Sequence, residues 1–233
     1  LHWIHDAFNN CVAVANFGAK AAALPFESTM VLDHTPLEGP RFRTALGAKR
    51  WPLEYEREVV PDLEACMRRQ YADDGEVERW ALQFVRPHRR NDIGRILASM
   101  TRAVHKGFAY SRRSEPGTRP PLKTLASMSG SCRDFALLMM EAARSLALAA
   151  RFVTGYIYVP AHDGPTLRGG GATHAWVQIF LPGAGWVEFD PTNGIIGNRD
   201  LIRVGVARDP YQALPLHGTF AGRRADALGM TVD

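Results

Sequence analysis

Three side chains that together could carry out acyl transfer are found in the second half of the chain. Cys132 lies in the segment MSGSCRDFA, His174 in THAWV and Asp190 in EFDPT. A thiolate is a nucleophile, an imidazole accepts and returns its proton, and a carboxylate holds the imidazole in the required tautomer. We therefore predict a Cys-His-Asp triad that attacks an amide or peptide carbonyl and forms a thioester.

A helix has to present Cys132, and the surrounding sequence predicts one. Ser131 and Asp134 form the Ser-x-x-Asp pattern of a capping box. Apolar residues then recur at helical spacing on the same face as Cys132: Phe135, Leu138, Met139, Ala142, Ala143 and Leu146. The positive end of the helix dipole favours the thiolate, and the Cys132 N–H is placed to stabilise an oxyanion. Tyr110 is a candidate for the second oxyanion donor.

Two strands have to present the imidazole and the carboxylate. Residues 174–181 and 186–190 alternate as strands around Pro-Gly-Ala-Gly, which is a hairpin signal. Opposed residues of an antiparallel pair share a face, so an even four-residue turn would place Asp190 opposite Val177, on the wrong face for His174. We therefore predict an odd-length loop or a bulge in this hairpin.

The remaining pattern divides the chain into a β-rich region at 1–60 and a helix-containing core at 61–233. We predict a hairpin from 3–8 and 11–17, a strand at 24–32, and mostly loop between 33 and 61. Helices are predicted at 62–71, 76–85 and 92–108, a surface loop at 111–124, and a strand at 151–159. A glycine-rich loop follows at 160–172, and the pattern after residue 191 assigns no element.

Composition narrows the classes of function. The 233 residues are 46% hydrophobic and 22% charged, which is ordinary for a globular protein, and no apolar run is long enough to span a membrane. The net charge is +4, and its basic clusters at 86–90 and 112–113 lack the interleaved aromatics of a nucleic-acid surface. We predict neither nucleic-acid nor membrane partners.

The three cysteines indicate a reducing compartment. Cys11, Cys66 and Cys132 are odd in number and form no CxxC pair, so they predict no disulfide framework. Cys11 and Cys66 are interpreted as packing residues. Since no signal peptide is visible in the sequence, we expect a cytoplasmic protein.

Each member of the triad also has an ordinary structural interpretation. Cys132 alone could be a small core residue, His174 a structural strand histidine, and Asp190 before Pro191 a turn former. The three could also bind zinc, but they lack the close pairing typical of such sites. Because all three occur in suitable settings, we favour catalysis and predict no metal and no cofactor.

The three motifs resemble those of the bacterial transglutaminase-like superfamily. The resemblance implies an α+β, papain-like core, in which the helix bearing Cys132 packs on an antiparallel sheet, and implies the triad Cys132, His174 and Asp190. The region 1–60 resembles the β-rich segment that precedes this core in many members. Many members carry Val before the Cys and Gln after it, where this chain has Ser131 and Arg133, so we expect these positions to affect substrate choice. No acidic calcium loop is visible.

The sequence thus predicts a thiol-dependent enzyme acting on a protein or peptide substrate. Water as the acceptor would make it a peptidase or amidase, and an amine would make it a transglutaminase. We favour hydrolysis because water is always available. The alternative is a non-catalytic interaction domain that retains the fold. The sequence predicts no oligomeric state.

Overall fold

The structure, a computed structural model, describes residues 1–33, 50–87, 91–112, 117–159, 168, 172–198 and 200–223. Helices α1 to α5 in these ranges are Val60–Met67, Glu76–Leu82, Ile93–Gly107, Pro121–Ser127 and Cys132–Ser145. Strands β1 to β11 are His2–His5, Cys11–Val14, Arg50–Trp51, Asn91–Asp92, Ala109–Tyr110, Ser129–Gly130, Ala150–Ile157, His174–Leu181, Gly185–Asp190, Ile195–Ile196 and Leu201–Ala207. Among the described helices, none has both the length and the apolar composition needed to cross a membrane.

A five-stranded antiparallel sheet supports the core. Its strand order is β10-β9-β8-β7-β11, so β8 lies in the middle. Helix α5 packs against the sheet face that carries Ala175, Val177 and Ile179, and these residues share one apolar cluster with the helix. The predicted α+β architecture, with a Cys-bearing helix on an antiparallel sheet, is therefore confirmed.

Helix α5 begins at Cys132 because the capping box predicted from the sequence forms. The Ser131 side chain accepts from the Asp134 N–H, and the Asp134 carboxylate accepts from the Ser131 N–H, which satisfies donors that a helix start leaves free. The helix is buried along nearly its whole circumference, including Glu141 and Arg144. Sequence periodicity predicted one buried face, whereas neighbouring helices and the sheet cover the others.

Helix α3 follows the sequence prediction closely. Asp92 caps its start by accepting from the Arg95 N–H, and the predicted apolar stripe is buried. The stripe consists of Ile93, Ile96, Leu97, Met100 and Val104. The helix spans Ile93–Gly107, one residue shorter at each end than predicted, because Asp92 and Phe108 are its extended caps.

The N-terminal hairpin is confirmed, with shorter strands than predicted. β1 and β2 pair in antiparallel register from His2 opposite Val14 to His5 opposite Cys11. Asn10 joins the hairpin to β11 by two hydrogen bonds with the backbone of Val206, of 2.7 and 2.8 Å. The division of the chain at residue 60 stays a prediction.

The predicted strand at 24–32 is wrong. The segment has no regular structure and its side chains are exposed. A strand needs a partner edge for its backbone N–H and C=O groups, and Pro25 lacks an N–H. Apolar composition alone therefore misled the prediction, while residues 34–49 of the predicted connector lie outside the described residues.

Two elements were not predicted from the sequence. α4 lies partly in a predicted loop, and β11 lies in the region after residue 191, where no element was assigned. α4 overlaps the end of the predicted surface loop at 111–124. It begins at Pro121, which suits a first helical position because no N–H partner is needed there. β11 forms the sheet edge by pairing with β7. Most of the predicted loop at 160–172 lies outside the described residues.

Candidate active site

The hairpin between β8 and β9 has the odd-length turn that the sequence required. Leu181 pairs with Gly185 and Val177 with Phe189, so three residues form the turn. Continuing this register places Asp190 opposite Trp176, on the sheet face shared with His174. The predicted odd-length loop is therefore confirmed, and it brings His174 and Asp190 together.

His174 and Asp190 form a buried hydrogen-bonded pair. The two residues are 1% and 0% exposed, and His174 Nε2 lies 2.9 Å from Asp190 Oδ2. Because an ionised carboxylate only accepts, Nε2 must carry the proton that is donated. The neutral imidazole then has its lone pair on Nδ1, which is the nitrogen able to act as a base.

The Asp190 carboxylate is held by further donors. Its Oδ1 accepts from the backbone N–H of Thr192 at 2.8 Å and of Asn193 at 3.3 Å. Its Oδ2 also accepts from the Asn193 side-chain amide at 2.9 Å. Burial alone would raise the pKa of Asp190, but His174 and these donors lower it below its ordinary value. The carboxylate is thus kept ionised.

The same neighbours favour a protonated His174. Burial disfavours the imidazolium, but the Asp190 charge and hydrogen bond outweigh it, with a further contribution from the Cys132 side chain. Together they raise the pKa of His174 well above its ordinary value. Nδ1 is buried and has no hydrogen-bond partner among the described residues, so the pairing with Asp190 leaves this nitrogen uncommitted.

Cys132 meets His174 at the ends of their elements. Cys132 is the first residue of α5 and is 8% exposed, while His174 is the first residue of β8. His174 does not alternate onto the sheet face that α5 covers, since that face carries Ala175 and Val177. The two residues therefore stand at the starts of their elements, where the Cys132 side chain contributes to the raised pKa of His174.

The helix start leaves a backbone donor beside the thiol. The capping box uses the N–H groups of Ser131 and Asp134, so neither capping acceptor takes the Cys132 N–H. A free N–H at the first helical position is a natural oxyanion donor because the helix dipole reinforces it. The predicted role of the Cys132 N–H is compatible with this geometry.

Both side chains that flank Cys132 are directed into the protein. Ser131 caps the helix, and Arg133 donates to the Pro210 carbonyl at 2.8 Å while its guanidinium lies 4.9 Å from the Phe152 ring centre. Burial, opposed by neighbouring acidic groups, lowers the pKa of Arg133. The expectation that these two positions affect substrate choice gains no support, since their contacts are structural.

Tyr110 lies beside the nucleophile. It pairs with Gly130, two residues before Cys132, and its ring lies 6.4 Å from that of Phe135. Burial and the Cys132 charge raise its pKa, opposed by two nearby arginines, Arg112 and Arg168. Tyr110 stays a candidate for the second oxyanion donor.

Two residues that support the site were missed by sequence reasoning. Asn193 donates to Asp190, and His105 of α3 holds the same turn through Nδ1, which donates to the Thr192 carbonyl at 2.8 Å. The dipeptide Asn193-Gly194 is a turn signal that could have directed attention to this segment. His105 offered no signal, because only the fold brings α3 to this turn.

The other cysteines lie away from this arrangement. Cys66 is buried beside Leu63 and Ala149, and burial raises the pKa of its thiol. Cys11 is exposed, so its interpretation as a packing residue is wrong. Within the ranges that the structure covers, no group of three or more His, Cys, Asp or Glu residues is arranged to hold a metal ion.

Comparison with known proteins gives a family for this architecture. A family model of the transglutaminase-like superfamily matches residues 83–191. An uncharacterized protein of Mycobacterium leprae is 37% identical over 115 residues, which are 48% of this chain and 39% of that protein. An uncharacterized protein of Mycobacterium tuberculosis is 30% identical over 144 residues, which are 59% of this chain and 46% of that protein. The chain thus spans less than half the length of either relative.

A solved structure shares the fold. The crystal structure of a proposed cysteine protease from Cytophaga hutchinsonii has a TM-score of 0.54 and 21% identity, covering 71% of this chain and 53% of that one. Identity at this level shows the fold alone. Residues 83–191, which include the Cys-bearing helix and strands β7 to β9, thus match the transglutaminase-like superfamily.

Proposed function

We propose that this protein is a cysteine-dependent enzyme that cleaves or transfers acyl groups at an amide or peptide carbonyl. One observation carries the proposal. Cys132 stands at a helix start and contributes to the raised pKa of His174, whose Nε2 lies 2.9 Å from the buried Asp190 carboxylate. This is the arrangement that thiol acyl transfer requires.

The proposed reaction begins from a thiolate–imidazolium pair, in which the Cys132 thiol proton resides on His174 Nδ1. The thiolate sulfur attacks the carbonyl carbon, and the carbonyl electron pair moves onto oxygen, where the Cys132 N–H stabilises it. When the tetrahedral intermediate collapses, the C–N bond breaks and the imidazolium gives its proton to the leaving amine. The product is a thioester on Cys132 and a free amine.

The second half of the reaction releases the acyl group. His174 takes a proton from water or from an acceptor amine, which then attacks the thioester carbonyl. The C–S bond breaks and leaves the Cys132 thiolate beside the imidazolium, which restores the starting pair. Water yields an acid, and an amine yields a new amide. We favour water because it competes with every other acceptor, and we expect a protein or peptide substrate in a cytoplasmic setting.

A glutamine-containing peptide tests the reaction. It is incubated with the protein, with and without a primary amine, and ammonia release, amine incorporation and backbone cleavage are followed by mass spectrometry. Ammonia release or cleavage without amine supports hydrolysis, and amine incorporation supports transglutamination. The Cys132→Ala variant should lose whichever reaction the native protein shows. The Cys11→Ser variant, changed at an exposed thiol, should retain that reaction.

Retention of turnover in Cys132→Ala would contradict the assignment of the nucleophile. A protein that turns over no amide and whose Cys132 reacts no faster than an ordinary exposed thiol would instead fit an interaction domain that retains the fold. These two outcomes are separated by comparing turnover with thiol reactivity in the same preparation.

A further inference from the structure

Two arginines flank the aromatic ring beside the nucleophile. The Arg168 guanidinium carbon lies 5.8 Å from the centre of the Tyr110 ring, and the Arg112 charge also acts on Tyr110, where it opposes the rise in pKa. Both arginines are exposed, and Tyr110 pairs with Gly130, two residues before Cys132. We call Arg112, Arg168 and Tyr110 the cationic rim.

The backbone of Arg168 is hydrogen-bonded to Asn193, in the turn that follows Asp190. Its N–H donates to the Asn193 side-chain oxygen at 2.9 Å, and its carbonyl accepts from the Asn193 side-chain nitrogen at 3.0 Å. The same Asn193 nitrogen donates to Asp190 at 2.9 Å. One asparagine therefore fixes both the triad carboxylate and the backbone that carries a rim arginine, which couples the rim to the site.

Two described carboxylates near the nucleophile, those of Asp190 and Asp134, are already engaged. Asp190 is bound to His174, and Asp134 accepts from the N–H groups of Ser131 and Arg119 at 2.9 and 2.7 Å. Within the described ranges, neither rim arginine forms an ion pair with a carboxylate. The two guanidinium groups are thus hydrogen-bond donors with a positive charge that no described carboxylate balances.

We propose that the cationic rim selects acyl donors that carry a carboxylate close to the scissile carbonyl. The proposal rests on the proposed function, because it names the substrate class of the same site. A guanidinium is permanently charged and binds carboxylates through paired N–H donors, and a charge at the mouth of a site concentrates its counter-ion. An acidic substrate residue beside the reacting carbonyl fits this chemistry.

A pair of alkylating reagents tests the rim without knowledge of the substrate. Iodoacetate is anionic and iodoacetamide is neutral, and with each the thiolate forms an S–C bond while iodide leaves. The ratio of the two rate constants at Cys132 reports the local potential, because any change in thiolate content affects both reagents. Peptide mapping of the exposed Cys11 in the same samples supplies a reference ratio.

We expect the iodoacetate-to-iodoacetamide ratio at Cys132 to exceed the ratio at Cys11 at low salt. At separations of several ångströms in water, a unit charge changes the local concentration of an anion about two- to threefold, so each of Arg112→Gln and Arg168→Gln should lower the ratio by that factor. The double variant should lower it by the product, Arg168→Lys should restore most of it, and added salt should reduce it.

Arg68→Gln is the matched control. Arg68 is an exposed arginine that directly follows α1. Helix α1 packs with Ala149, which follows the end of α5, and with Phe180, near the end of β8. Cys132 and His174 stand at the starts of these two elements. Its loss should leave the ratio at Cys132 unchanged. An equal fall in Arg68→Gln, or no fall in the double variant, would overturn the proposal.

This readout separates failure of the rim from failure of the proposed function. A Cys132 that reacts with iodoacetamide no faster than Cys11 would count against the activated nucleophile, while the reagent ratio still reports the rim. A fast Cys132 with an unchanged ratio in the double variant would leave the enzyme in place and remove the acidic substrate class.

Discussion

The proposed chemistry depends on the protonation of a single residue, His174. Its imidazole lies between a buried carboxylate and a thiol, and these neighbours raise its pKa to about 10, against an ordinary value of 6.5. We expect histidine NMR signals of the native protein, assigned with the His174→Ala variant, to show His174 titrating well above pH 7. Asp190→Asn should lower that pKa, since it removes the charge.

The raised pKa also fixes the sign of a stability effect. Below about pH 6.5 both the folded and the unfolded chain bind this proton, so the stabilisation is fully present. As pH rises toward about 10, the unfolded chain has lost the proton while the folded chain gives it up, and the contribution disappears. A titration midpoint near or below 6.5 in the native protein would contradict this assignment.

Asn193 is predicted to position the triad rather than to react. Asn193→Ala removes the amide donor to Asp190, which should cost about 1–3 kcal/mol of unfolding free energy and move the pKa of Asp190 upward. The change in stability is measured by urea unfolding, and the pH profile of Cys132 alkylation should shift in the same samples.

Thr192→Val is the neighbouring control. It keeps the Thr192 N–H that binds Asp190 and removes a buried hydroxyl that has no hydrogen-bond partner among the described residues. We expect unchanged alkylation and equal or greater stability. If Asn193→Ala and Thr192→Val gave the same pH profile of Cys132 alkylation, a positioning role for Asn193 would be untenable.

The candidate triad could be read from residue types, but its supporting residues could not. Cys132, His174 and Asp190 each stand at the boundary of a predicted element, and contact between His174 and Asp190 required these two residues to share one face. Asn193 contacts both Asp190 and Arg168, and no periodicity encodes these contacts. The influence of the Cys132 side chain on the pKa of His174 also depends on the three-dimensional path of both elements.

At the scale of elements, Gly155 sets how closely the strands around His174 approach. It pairs with His174 in the sheet, and a Cβ at this position would lie 2.1 Å from the Ile202 carbonyl oxygen and 2.8 Å from the Trp176 ring. Gly155→Ala should therefore cost about 3 kcal/mol or more in unfolding free energy, because backbone cannot move away cheaply.

Gly205→Ala is the matched control on the adjacent strand. A Cβ there would meet its nearest atom, a Thr154 methyl group, at 3.4 Å, which is ordinary contact. We expect a change below about 1 kcal/mol in urea unfolding. Equal costs for the two glycines would show that close strand approach at Gly155 is not the reason for its presence.

Elements were predictable where local chemistry specified them. The capping box located the start of α5, and strand alternation specified the odd turn before β9. The edge strand β11 and the short helix α4 were not, because their stability comes from neighbours that the local sequence does not reveal.

At the scale of the whole molecule, a buried ion pair joins α5 to distant segments. Glu141 and Arg144 lie 2.9 Å apart with fully buried side chains. Glu141 also accepts from the backbone N–H groups of Gln70 and Tyr71, and Arg144 donates to three further carbonyls, those of Cys66, Ala150 and Arg208. Helix α5 is thus hydrogen-bonded through this pair to several distant segments of the chain.

Breaking this pair should be costly. Glu141→Gln leaves the Arg144 charge buried without its partner, and we expect a loss of about 3–5 kcal/mol in urea unfolding. The Glu76–Arg79 pair offers a control, since its side chains are 52% and 58% exposed and Glu76→Gln should change stability by less than about 1 kcal/mol. Similar losses for both would mean that burial does not set the value of the Glu141–Arg144 pair.

Glu141 and Arg144 also show why a core can exceed its sequence pattern. Their charges indicate an exposed helix face, yet both are buried because the segment around residue 70 and the turn after β11 cover them. Long-range packing of this kind decides burial, and local periodicity carries no information about it.

The most direct measurement of the central claim is the pH dependence of iodoacetamide labelling at Cys132, with Cys11 in the same molecule as the reference thiol. An ordinary thiol with a pKa of about 8.5 is almost entirely protonated at pH 6. We predict that Cys132 labels much faster than Cys11 at pH 6 and that His174→Ala abolishes this advantage. Equal labelling of the two thiols at pH 6, or no effect of His174→Ala, would contradict the claim that His174 activates Cys132.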